Sequence, residues 1–301
     1  MLTIYRKTLK RIRPLHVAIN RFLSGVVLPM MEKSQSFQTM PDDPFWFRLE
    51  LLTRKHEQET MQHVDRIVKP GMVVLDIGAH IGYYTRRFSE LVGVQGRVVA
   101  FEPHPRTFGV LQKNVGQMQN VTLMQRAVTE TESTAELYDY LIMSASGSLH
   151  FDENLLDLQK SHVTNSDVAP RIASDFPVEK FTVDTVAIDS CMVQLGIAQV
   201  DFVKMDIEGA EMGALRGMRG IIAASPNLNL VMEYNPQALK AFDVDPETAI
   251  AEVLDMGFDT VAVVQDDGSL KDITGDAAAI ATLTSRLMTH MDVVNLLFAH
   301  N

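Results

Sequence analysis

Val73-Val74-Leu75-Asp76-Ile77-Gly78-Ala79-His80-Ile81-Gly82 decides the fold of this chain. A short apolar run enters Asp-x-Gly-x-x-x-Gly, and amphipathic spacing predicts a helix from Tyr83 to Leu91. Glycines at a strand-to-helix turn let the backbone bend sharply and let a ligand lie against it. A dinucleotide pyrophosphate asks for Gly-x-Gly-x-x-Gly at such a turn. Here a carboxylate, Asp76, stands at the strand end, and Gly78 and Gly82 are spaced more widely. That arrangement suits a nucleoside carrying cationic groups better than it suits a diphosphate. The next apolar run, Arg97 to Phe101, ends in Glu102-Pro103. An acid at the end of the second strand can accept both ribose hydroxyls.

Outward from this stretch the pattern alternates: strand 73–76, helix 81–92, strand 97–102, helix 105–117 and strand 121–125. Alternation of this kind predicts a parallel sheet with crossover helices. It breaks between about 129 and 180, a polar stretch read as an insertion, lid or mobile segment. Regular structure resumes near Phe181–Val186 and at a helix near 189–196. Strand 200–205, a helix to Ile222, strand 228–232, helix 248–256 and strands 260–264 and 293–299 follow, with a turn at Asp266-Asp267-Gly268. Seven of these strands are expected in one sheet, the final two without a crossover helix of the usual length. The expected division is a basic helical arm and linker at 1–60 and one α/β domain at 61–301.

A second dense cluster is Lys204-Met205-Asp206-Ile207-Glu208-Gly209-Ala210-Glu211. Ligands of doubly wound sheets sit beyond the carboxyl ends of the strands, where Asp206 falls. Glu208 and Glu211 are expected to open the following helix, a place its dipole favours for acids. Lys204 and Asp206 interrupt a buried strand, which is costly unless the charges are paired or used. Asp206 is the first candidate for chemistry and Glu208 the second. Glu233-Tyr234-Asn235, at the next strand end, adds oxygen donors. Asp206, Glu233 and Asn235 would together suit magnesium, although metal-free chemistry is the first reading.

The turn at Asp76–Gly82 resembles motif I of the class I methyltransferases. With Phe101-Glu102-Pro103 and the Lys204–Glu211 block, the chain resembles the FkbM-type methyltransferases over about 70–233. The resemblance implies a Rossmann-like class I fold with a seven-stranded, mostly parallel sheet and helices on both faces. It implies S-adenosylmethionine as methyl donor, bound by Asp76, Gly78, Gly82 and Glu102, and a hydroxyl acceptor on a sugar, lipid or natural product. His80 and His104 flank the cofactor loops, and His150 and His162 fall in the insertion, where either could serve as a base.

The net charge of −11 argues against a general nucleic-acid binder. Cys191 is the single cysteine, so no intrachain disulfide forms, which fits a reducing cytoplasm. Seven cations against Glu32 put +6 on residues 1–33, which leaves −17 for the rest. Apolar residues are interleaved with those cations, a pattern that can lie on the inner face of an anionic membrane. Packing on its own domain or on a second subunit is the first reading of the arm. Arg21 and Pro29 interrupt any spanning run, and no signal-peptide core is apparent. Two other functional readings stand beside the leading one: a nicotinamide-dependent oxidoreductase, and a catalytically silent nucleoside-binding adaptor.

Overall fold

The computed structural model describes residues 22–140, 144, 147–151 and 178–300, which fall in two compact units divided between His56 and Glu57. In the first unit a π-helical turn, Leu23–Val27, runs into α1 (Leu28–Gln35), and α2 (Phe45–Leu52) follows. Glu32 of α1 meets Arg48 of α2 at 3.1 Å, and Thr39 bridges them by accepting from Arg48 Nε at 2.7 Å.

The second unit opens with α3 (Gln58–Ile67), β1 (Val73–Ile77), α4 (Tyr83–Val92), β2 (Arg97–Phe101), α5 (Pro105–Val115) and β3 (Val121–Met124). Short strands β4 (Ala127–Val128), β5 (Thr134–Asp139) and β6 (Gly147–Ser148) come next, then β7 (Glu179–Val186). The chain continues through α6 (Ile188–Leu195), β8 (Phe202–Met205), α7 (Glu211–Arg216), α8 (Arg219–Ala224) and β9 (Asn229–Tyr234). It closes with α9 (Pro236–Ala241), α10 (Pro246–Asp255), β10 (Thr260–Val264), β11 (Leu270–Asp272), α11 (Ala277–His290) and β12 (Val294–Ala299).

The main sheet has the order β11-β10-β12-β9-β8-β1-β2-β3. Pairing is parallel from β3 to β9 and antiparallel at β12 and β11. Period-two alternation explains why both faces are covered. Leu75, Ile77, Val203 and Met205 join a core with Met192, Leu215, Ile222 and Leu287. Val74, Val98, Phe202 and Val231 join another with Val64 and Phe88.

Three expectations are corrected. The sheet has eight strands rather than seven, because the turn at Asp266-Asp267-Gly268 folds back a short β11. A full helix, α11, precedes β12, its start capped by Asp276, whose side chain accepts from Ala279 N. The single helix expected up to Ile222 is two short ones. Gly217 lies between them, and a Cβ there would sit 2.4 Å from the Thr129 carbonyl oxygen.

The stretch expected to be irregular supplies β5, which pairs with β7 in a separate four-stranded sheet, β4-β7-β5-β6. Within that stretch, residues 141–143, 145–146 and 152–177, the last including His162, lie outside the described residues.

Candidate active site

β1 sits between β2 and β8, so the loops leaving these three strands converge beyond their carboxyl ends. An open cavity lies there. Ile77, Gly78 and His80 line it from the first loop, Glu102 and His104 from the second, and Asp206 and Glu208 from the third. Leu137 and Leu149 from the smaller sheet segment, with Arg126, form another wall.

Gly78 has a packing reason to be glycine. Its φ is +84°, and a Cβ would lie 1.9 Å from the Asp206 carbonyl oxygen, so β1 and β8 loops touch through bare backbone. Gly82, at φ +90°, faces Leu111 and Val115 of α5 and stands outside the cavity lining. Asp76 is also behind the lining: it is 1% exposed and accepts from Thr85 Oγ1 at 2.5 Å. Its Oδ1 has no hydrogen-bond partner among the described residues. Burial pushes the Asp76 carboxyl up to about 6, against the pull of Thr85 and Lys204.

Glu102 ties two loops together. Its Oε2 accepts from His80 N at 2.9 Å and its Oε1 from His104 N at 2.8 Å. Burial raises this carboxyl to about 7. Its neighbour His104 caps α5 by accepting from Thr107 N, places Nε2 3.0 Å from Asp139 and packs edge-on to Phe181. His80 Nε2 lies 2.6 Å from Ser144 Oγ, and the His150 ring lies 5.5 Å from that of Phe242.

The third loop explains its own motif. Lys204 is opposite Asp76 in the β1–β8 ladder and is 2% exposed. Its Nζ donates to Asp206 Oδ2 at 2.8 Å and stands 4.7 Å over the Tyr84 ring. Burial alone would lower the Lys204 ammonium, but Asp206, Glu57 and Asp76 hold it above its ordinary value. Tyr84 in turn donates to Glu57 Oε2 at 2.7 Å. Carboxylates on two sides and an aromatic face therefore offset the cost of a lysine inside the strand.

Glu211 opens α7, as expected, but Glu208 does not. Glu208 sits in the preceding loop with φ +54°, a conformation that is uncommon outside glycine. Glu211 Oε1 accepts from Ile207 N at 3.1 Å and Gly209 N at 3.2 Å, which holds that loop in place. Burial raises Glu211 to about 7. Burial, and then Asp206 and Glu211, raise Glu208 to about 8.

Asp206, Glu208 and Glu233 have carboxylate oxygens within 4.8 Å of one another. Burial, reinforced by Asp206 and Glu208, holds Glu233 well above the carboxylate range. Asn235, grouped with them from sequence, is occupied elsewhere, because its Oδ1 caps α9 by accepting from Ala238 N at 3.1 Å. Glu208, whose backbone is left-handed, joins Asp206 and Glu233 in the set instead. Tyr84, Glu57, Arg126, Leu137 and Leu149 were missed in the sequence. Only the alternation within Thr134–Asp139 hinted that Leu137 faces inward.

A parallel sheet with a reversed strand beside β9, a glycine turn after its first strand and an acid after its second define a Rossmann-like, S-adenosylmethionine-dependent methyltransferase of class I. The chain belongs to the FkbM methyltransferases: the family described as "Methyltransferase FkbM domain" matches residues 76–260. This sets aside the nicotinamide-dependent reading. The chain is 26% identical over 184 residues to 2-O-methyltransferase NoeI of Sinorhizobium fredii, covering 59% of this chain and 69% of that one. It is 28% identical over 149 residues to Methyltransferase 1 of Beauveria bassiana, covering 48% and 57%. It is 22% identical over 162 residues to hexuronic acid methyltransferase AglP of Haloferax volcanii, covering 54% and 56%. The chain thus spans little more than half the length of the last two. A solved methyltransferase from Aquifex aeolicus overlaps 90% of this chain and 97% of its own at 15% identity and a TM-score of 0.41, too loose a likeness to add to the fold described.

Proposed function

We propose that this protein methylates a hydroxyl oxygen of a sugar-containing acceptor. The observation that carries the reading is the carboxylate cluster of Asp206, Glu208 and Glu233, which adjoins a cavity bounded on its other side by Glu102. The names of the bacterial and archaeal relatives, a 2-O-methyltransferase and a hexuronic acid methyltransferase, support the acceptor class.

The residues present fit a nucleoside donor. Ile77, Phe101, Leu137 and Leu149 offer apolar walls for a flat base. Glu102 commits one lone pair of each oxygen to a loop amide, so others remain for ribose hydroxyls. A cationic ligand beside this cluster would favour the ionised forms of Glu208 and Glu233, which burial otherwise holds protonated. S-adenosylmethionine supplies a methyl group already activated on a sulfonium. The protein's own share is to align the acceptor oxygen and remove its proton.

Asp206 and Glu208 divide that work in this reading. Asp206, held by Lys204, accepts a hydrogen bond from the acceptor hydroxyl and orients it. Glu208, raised to about 8, is matched to proton uptake near neutral pH. Incubation with S-adenosylmethionine and a panel of sugars and glycosides, read by mass spectrometry, tests the assignment. Methyl transfer to a sugar hydroxyl is expected. Tight S-adenosylhomocysteine binding with no turnover across the panel would favour the silent adaptor instead.

The same three carboxylates support a second reading as ligands of magnesium. Activity lost in EDTA and restored by magnesium would establish it. Activity indifferent to chelator would leave the carboxylates to proton transfer alone.

A further inference from the structure

Phe22, Gly25, Val26, Pro29, Met30 and Lys33 are all exposed, and they recur at the three- and four-residue spacing of one helix face. Phe22 is 58%, Val26 43% and Met30 67% exposed. Leu28, on the other side of the same helix, is fully buried. The first unit thus turns an apolar face outward along the π turn and α1, the reverse of what water favours. A contiguous patch of this kind marks an interaction surface.

Charge identifies the occupant. Six cations, Arg6, Lys7, Lys10, Arg11, Arg13 and Arg21, precede the face in sequence, and Lys33 ends it. An anionic surface with an apolar interior answers both features at once. No helix among the described residues is long and apolar enough to cross a membrane, so the contact is with one leaflet.

We propose that this face docks on an anionic lipid bilayer, with Phe22, Val26 and Met30 entering the acyl boundary and the cations of residues 6–33 meeting lipid headgroups. Amphipathic helices with cations and large apolar residues bind membranes this way. Each basic residue near such a surface strengthens binding by about fivefold.

The test is flotation of the full chain with vesicles of phosphatidylcholine alone and with added phosphatidylglycerol. Binding to the anionic vesicles alone, weakening as salt is raised, is expected. Phe22→Ser with Met30→Ser should reduce it by about tenfold or more, and Arg11→Gln with Arg13→Gln by about twenty-fivefold. S-adenosylhomocysteine affinity and far-ultraviolet dichroism of the variants should match the parent, which separates loss of docking from loss of folding. Equal flotation with neutral vesicles, no flotation, or undiminished binding of the apolar variant would overturn the proposal. So would a concentration-dependent dimer that Met30→Ser dissolves, since a second copy would then cover the face.

Discussion

Glu208 combines a left-handed backbone, a place in the cavity wall and a carboxyl raised to about 8 by burial. If it takes the acceptor's proton, kcat/KM should climb with pH and level off above about 8. Glu208→Gln should then lower kcat by about 10²–10⁴, while S-adenosylhomocysteine affinity holds in a calorimetric titration. Asp206→Asn should lower turnover and also shift the pH at which the profile levels downward, because the Asp206 charge helps to raise Glu208. A full rate in Glu208→Gln, with the loss confined to Asp206→Asn, would transfer the proton to Asp206. At Glu102, substitution by alanine removes the proposed ribose acceptor and should weaken S-adenosylhomocysteine by about 1.5–3 kcal/mol. Gly78 tests packing rather than binding. Gly78→Ala places a Cβ 1.9 Å from the Asp206 carbonyl oxygen. It should cost about 2–3 kcal/mol by chemical denaturation of the ligand-free protein.

At the scale of an element, the loop between β8 and α7 is held by Glu211, which accepts from two of that loop's amides while 2% exposed. Its carboxyl titrates near 7, above the 4.5 of an exposed glutamate. The folded state therefore keeps this proton where the unfolded chain has released it. The stability it contributes is full below about 4.5 and declines as pH rises toward 7. Asp76 and Glu102, raised to about 6 and 7, act in the same direction. The thermal midpoint of the ligand-free protein should accordingly fall between about pH 5 and 7. Glu211→Gln keeps an acceptor oxygen for the two amides and removes the titration, so its midpoint should fall less over that range. A slope identical to the parent's would show that Glu211 is not among the groups responsible.

Across the whole molecule, the cofactor loops, the carboxylate cluster and both cores of the sheet all lie after Glu57. Removal of residues 1–33 should leave S-adenosylhomocysteine affinity within about threefold of the parent while abolishing vesicle binding. A truncated chain that no longer binds the nucleoside would show that the cofactor site depends on the arm.

The sequence by itself determined the sheet and the loops that matter. Strand-helix alternation and the acids at strand ends follow from local chain geometry, so the strand ends carrying Asp76, Glu102 and Asp206 were legible. Asp76 and Gly82, expected to line the cofactor site, instead stand behind the cavity lining. Eight strands rather than seven, the capping role of Asn235 and the clamp made by Glu211 were decided only by tertiary structure. Each depends on a partner or a backbone turn that spacing does not specify, such as the left-handed residue at Glu208. The pairing of Lys204 with Asp206 lies two residues away in sequence. Even so, Asp76 and Tyr84, which make a buried cation tolerable there, are brought to it by the ladder and the helix above it. Charge burial is a property of the assembled core, and pattern in one dimension cannot state which groups will share the low-dielectric space.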